Sequence, residues 1–157
     1  MKRIFVFSDP HFGDEDMISL GLRGQFADIH EHDEYIIEAV NSIVQPNDIL
    51  YILGDIAMDK DSLVNVAYLN GHKRLVRGNH DIFPTKDYLE IGFKEIYGVR
   101  VFPELGLILS HIPLHPNSVD SKKWTNIHGH IHDQVIDGPY KNVSLERLPD
   151  YKPLQIR

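Results

Sequence analysis

The chain has 157 residues, 42% hydrophobic and 25% charged, which suits a single globular domain over 1–157 rather than a disordered or fibrous chain. Against 16 Lys and Arg stand 23 Asp and Glu, and the net charge of −7 weighs against duplex nucleic acid as a partner. Cysteine is absent, which excludes disulfide and thiolate chemistry, and no apolar run approaches the ~20 residues of a membrane-spanning helix, so no membrane partner and a cytoplasmic location are expected.

Residues 3–8 read as a buried strand, because Ile4, Phe5, Val6 and Phe7 are consecutive without alternation. The run ends at Asp9-Pro10-His11. Residues 33–44 place Ile36, Ile37, Val40, Ile43 and Val44 on one stripe, which predicts a helix stopped by Pro46 and Asn47. A second strand over 48–53 ends at Gly54-Asp55. Residues 61–69 carry Leu63, Val66, Ala67 and Leu69 on one face, with Asn70-Gly71 behind them as a helix stop. A third strand over 74–77 ends at Gly78-Asn79-His80-Asp81, and a short helix is expected over 85–91. Residues 95–102 and 107–110 flank Pro103-Glu104-Leu105-Gly106 as a hairpin whose second arm ends at His111. A weaker strand over 125–127 leads into His128-Gly129-His130-Ile131-His132. The order β-α-β-α-β, followed mostly by strands, argues for an α/β layered fold with a mixed sheet or two packed sheets.

The polar clusters share one place, just past the carboxyl end of a predicted strand, where open α/β sheets bind their ligands. Asp9 and His11, Asp55, Asn79, His111, His130 and His132 supply carboxylates, an amide oxygen and imidazoles. Such mixed oxygen and nitrogen donors suit Mn, Fe, Zn or Ni better than Ca or Mg. One tetrahedral metal needs three or four ligands, whereas these residues number seven. A pair of metals sharing one bridging carboxylate would use them all, and two metals about 3.5–4 Å apart clamp the attacking and leaving oxygens of a displacement at phosphorus.

Asp9-x-His11, Gly54-Asp55, Gly78-Asn79-His80-Asp81, His111 and Gly129-His130-Ile131-His132 together resemble the five ordered motifs of the calcineurin-like metallophosphoesterases, from Asp9 to His132. The resemblance implies a four-layer αββα sandwich, with two mixed sheets flanked by helices. It implies that Asp9, His11 and His132 hold one metal, that Asn79, His111 and His130 hold the second, and that Asp55 bridges them. His80 would bind no metal and would give a proton to the leaving oxygen, with Asp81 orienting its ring; histidine is suited to this near neutral pH. The implied function is hydrolysis of a small phosphoester or nucleotide, as monoester or diester, by a metal-bridging hydroxide. The implied cofactors are two divalent metal ions, Mn foremost. The alternatives are a catalytically inactive binding protein on the same fold, and a nuclease acting on nucleotides or short single strands. Phe12 stands where many small relatives have glycine, and Met58 where a charged residue is frequent. Asp81 replaces the glutamate of the Ser/Thr protein phosphatases, and no arginine lies between Asp55 and Arg74, which weighs against a dedicated phosphoprotein phosphatase.

Other conspicuous residues have plainer readings. His128 is expected to be a hydrogen-bonded structural histidine, with an eighth-ligand role as the alternative. His115 suits a surface loop as well as a substrate-facing position. His30, His32 and His72 are expected to be solvated, Arg23 and Lys73 to be surface charges rather than phosphate grips, and Trp124 to lie in the core.

Overall fold

The computed structural model describes residues 1–119 and 123–157. In chain order its strands are β1 (Ile4–Phe7), β2 (Ile49–Ile52), β3 (His72–Val76), β4 (Glu95–Tyr97), β5 (Val99–Phe102), β6 (Leu107–Ser110), β7 (Thr125–His128), β8 (Tyr140–Asn142) and β9 (Leu154–Gln155). The α-helices are α1 (Asp16–Ser19), α2 (Ile29–Asn41) and α3 (Thr85–Glu90). One sheet has the order β4-β3-β2-β1-β9, with β1 to β4 parallel and β9 antiparallel to β1. The other has the order β5-β6-β7-β8, parallel except that β5 runs against β6. Among the described residues, no helix is long and apolar enough to cross a membrane.

The two mixed sheets pack face to face. Tyr51 of β2 meets Phe102 of β5 edge-on at 5.5 Å, and Arg100 lies 4.2 Å over the Phe102 ring while donating to the Tyr51 hydroxyl. All four residues of β1 are buried, as the unbroken apolar run requires of a strand covered on both sides. The buried stripe of α2 (Ile36, Ala39, Val40) joins the same core. The segment after β6 is tied to β7 and β8 through Leu114. Its Leu114 amide donates to Asn126, and its Leu114 carbonyl accepts from the Tyr140 hydroxyl. The architecture is the expected αββα sandwich, two mixed sheets flanked by helices.

Several boundaries differ from expectation, each for a local reason. Helix α2 starts at Ile29, because Asp28 caps it by accepting from the Glu31 amide, while Glu31 reaches back to the Ala27 amide. The segment Asp61–Tyr68 is a 3-10 helix rather than an α-helix. Its buried residues Leu63 and Val66, with Leu69 following, recur every third position, which matches three residues per turn and leaves Ala67 outside. The expected single arm over 95–102 divides at Gly98, so that Glu95–Tyr97 closes the first sheet and Val99–Phe102 edges the second.

Candidate metal centre

The motif residues follow the carboxyl ends of β1, β2, β3, β6 and β7, and the chain turns sharply at each exit. Asp9, His11, Asp55, His130 and His132 all have left-handed backbones, with φ of 60°, 48°, 54°, 74° and 52°. Such conformations cost about 1–3 kcal/mol each and persist where surrounding contacts hold them. Here the Asp9 and His11 amides donate to the carbonyls of Gly54 and Asp55, which fastens the first turn to the second. Two glycines allow the turns to close. A Cβ on Gly54 (φ 95°) would stand 2.5 Å from the Gly78 nitrogen and 2.8 Å from His111 Nδ1, and one on Gly129 would collide with Ser8 Oγ and Asp9 Oδ2.

Within the described residues, two groups of three bring their ligand atoms within 4.8 Å of one another: Asp9, His11 and His132, then Asp55, His111 and His130. Asp55 lies between them, with Oδ2 3.5 Å from His11 Nε2 and 3.3 Å from His111 Nε2. Asn79 belongs with the second group, its Oδ1 2.9 Å from His111 Nε2 and 3.1 Å from His130 Nδ1. Among the described residues, Asp9 Oδ1 and His11 Nε2 are buried without a hydrogen-bond partner, although only 3.4 Å apart. Buried polar atoms are normally paired, and two unpaired ones facing each other suit a shared cation. The opposite atoms of these side chains are spoken for: Asp9 Oδ2 accepts from Ser8, Ser144 and the His130 amide, and His11 Nδ1 bonds Asp14. The residues present therefore form two groups of oxygen and nitrogen donors of the kind that could hold divalent metal ions.

The electrostatics agree with a site built for positive charge. Burial alone would raise the Asp55 carboxyl, but the imidazoles of His11 and His111 beside it hold it well below the usual carboxylate range. Burial would lower His11, yet Asp14, Asp55 and Asp9 around it push it up to about 11. His111 is raised against the same desolvation by Asp55 and Asp9. The carboxylates favour positive charge at these imidazoles, and a bound metal would supply that charge.

His80 is exposed, stands outside both groups, and meets His11 edge-on at 5.9 Å, while its backbone amide donates to Asp55 Oδ1. Asp81 requires a correction. Its carboxylate does not orient the His80 ring, because its oxygens accept from the amides of Asp55, Ile56 and Gly78. That makes it the brace of the Asp55 turn. Arg23 and His32 are fully buried rather than solvated, and Arg23 contacts the Asp9-Pro10 backbone, His32 and Glu146. Lys73 donates to the carbonyls of Leu69 and Gly71. Trp124 is half-buried and outside the core cluster. His30 and His115 are exposed and His72 is half-buried. His128 is buried with Nδ1 bonded to the Gly129 carbonyl, and among the described residues its Nε2 has no hydrogen-bond partner. Sequence reasoning missed Asp14 and Glu146, the carboxylates behind His11 and His132. Asp14 lies three positions after His11, a usable signal, whereas nothing marks Glu146.

A family model described as calcineurin-like phosphoesterase matches residues 2–154. The uncharacterized protein MJ1445 of Methanocaldococcus jannaschii is 29% identical over 168 aligned positions, covering 99% of this chain and 88% of that protein. Gene 66 protein of Mycobacterium phage L5 is 33% identical over 86 residues, 52% of this chain and 41% of that protein. Among solved structures, the protein of unknown function AQ665 from Aquifex aeolicus has a TM-score of 0.75 at 27% identity, over 99% of this chain and 96% of that one. A structure described as a novel archaeal phosphodiesterase shares the fold at a TM-score of 0.52 and 15% identity, over 91% and 82% of the two chains. With five strand-end motifs gathered at one centre and a family match along almost its whole length, the chain belongs to the calcineurin-like phosphoesterase family.

Proposed function

We propose that this protein is a dinuclear-metal-dependent phosphoester hydrolase. Asp9, His11 and His132 would hold one divalent metal, Asn79, His111 and His130 the other, and Asp55 both. The observation that carries this reading is the placement of the Asp55 carboxylate between His11 and His111, one from each ligand group. Two metals bound there would supply Lewis-acid polarisation of the phosphoryl group and activation of water near neutral pH. The chain itself supplies the proton for the leaving oxygen, from the exposed imidazole of His80, which competes for neither metal.

The charge balance favours a phosphodiester. Arg23 and Arg77, carried by segments that build the site, both spend their guanidinium groups on protein partners: Arg23 on carbonyls and Glu146, Arg77 on the carbonyls of Asp81 and Phe83 and on Thr85. Neither is left to match the second negative charge of a monoester dianion. Metal-free protein reconstituted with Mn should take up two equivalents and cleave a bis-aryl or nucleotide diester at least as fast as an aryl monoester. A saturated stoichiometry of one or zero would overturn the dinuclear reading, and a strong monoester preference at every pH would overturn the substrate reading.

A further inference from the structure

Behind the first ligand group lies a buried chain of polar contacts that the proposed chemistry does not use. Arg23 is fully buried, 123 positions from its partner Glu146. Its Nε donates to Glu146 Oε2 at 3.2 Å and its Nη2 to Glu146 Oε1 at 2.9 Å. Nη2 also donates to the Asp9 carbonyl, and Nη1 to the Pro10 carbonyl at 2.9 Å and to His32 Nε2 at 3.0 Å. These contacts engage all five N–H groups of a guanidinium, which lysine cannot imitate. Glu146 Oε2 then accepts from His132 Nδ1 at 2.9 Å, leaving Nε2 of that ring for the centre. On the other side His32 Nδ1 bonds Asp33, whose carboxylate accepts from the Gly13 amide. The two ends of the first group, the Asp9–His11 turn and the His132 ring, are thus bolted to one guanidinium.

Among the described residues the second group has no such backing. His111 Nδ1 bonds the neutral carbonyl of Leu53, and Asn79 and His130 are exposed. A carboxylate behind a ligand imidazole fixes its tautomer and raises its basicity, and the loss of such a partner costs about 10–100-fold in metal affinity. In the first group both imidazoles have one, Asp14 behind His11 and Glu146 behind His132.

Building on the metal-site reading above, we propose that Arg23 and Glu146 are positioning residues that make the Asp9, His11 and His132 group the tighter of two unequal metal positions. Stepwise titration of the metal-free chain with Mn alone, followed by calorimetry, tests this. Wild-type protein should bind two equivalents in separable steps. Glu146→Gln should weaken the tighter step by about 10–100-fold and leave the weaker step within about twofold, a split that a general loosening of the fold would not produce. Arg23→Lys should act in the same direction. If Glu146→Gln does not fold, as judged by its melting curve without metal, Glu146→Asp keeps the buried charge, shortens the reach and gives the same comparison. Unchanged steps in these variants, or equal weakening of both steps, would overturn the positioning role. Wild-type protein that binds no Mn would instead overturn the metal-site reading itself, so the two failures are distinguishable.

Discussion

His80 and Asp81 are adjacent in the chain, yet one faces the centre and the other the backbone beneath it. His80→Ala removes the proposed proton donor, which belongs to neither ligand group, so the two proposed metals should stay while turnover falls. General acid assistance is worth about 10²–10⁴-fold, and the defect should approach that range with a poor leaving group and shrink with nitrophenolate. Metal content measured beside the two rates decides it: loss of metal would make His80 a ligand, and full rates would place the proton source elsewhere. Asp81→Asn should behave differently. Its carboxylate accepts three amides, and an asparagine in the same pose turns an NH₂ toward at least one of them. A lost hydrogen bond to a charged group is worth about 1.5–3 kcal/mol. The variant should therefore melt earlier and release metal as the Asp55 turn loosens, a result seen by denaturant unfolding and metal analysis; a stable, fully loaded variant would contradict it.

At the scale of elements, the joints between strands carry the information. Asp48 illustrates one away from the metals: it accepts from Arg3 Nε at 3.0 Å and from the Gln45 amide at 2.7 Å, tying the start of β2 to the chain just before β1. Burial would raise its carboxyl, but Arg3 and the Gln45 amide outweigh that and lower it. A carboxyl lowered on folding adds stability that is fully present above its unfolded pKa of about 3.9 and is lost as pH falls through the folded value. Arg3 is 43% exposed on its side chain, so solvent screens the pair and the effect is modest. Asp48→Asn should accordingly lower the urea midpoint at pH 7, and the gap to wild type should narrow toward pH 3. A gap that stays constant with pH would show that the charge is not what matters.

For the whole molecule, the ligand set spans both sheets. Asp9, Asp55 and Asn79 leave the first sheet, and His111, His130 and His132 leave the second, so metals bound as proposed would cross-link the sandwich at one end. Binding confined to the folded state stabilises it by about 2.7 kcal/mol per site at a hundredfold excess over Kd. At roughly 2–4 °C per kcal/mol for a chain of this size, chelation of two metals should lower the melting temperature by about 10–20 °C. Calorimetric scans before and after chelator, with Mn restored as a control, would measure it, and an unchanged melting temperature would speak against metals at this junction.

The strand-end motifs, the donor types and the α/β class were legible in the sequence, because each depends on residues close together in the chain. Apolar runs mark β1, β2 and β3 whatever lies around them, and glycine-flanked carboxylates and imidazoles mark their exits. The strands β8 and β9 were not legible, since three and two residues carry no periodicity and become strands only through their partners. The same holds for the duties of polar side chains. Arg23 read as a surface charge because nothing beside it in sequence offers five acceptors; Asp9, Pro10, His32 and Glu146 meet around it only after folding. Asp81 read as the partner of the adjacent histidine, but the turn after β3 aims its oxygens at the amides of Asp55, Ile56 and Gly78. Chemistry offered by a residue is a local property that sequence determines, whereas the direction in which a buried polar group spends its hydrogen bonds depends on tertiary neighbours and was decided by the fold.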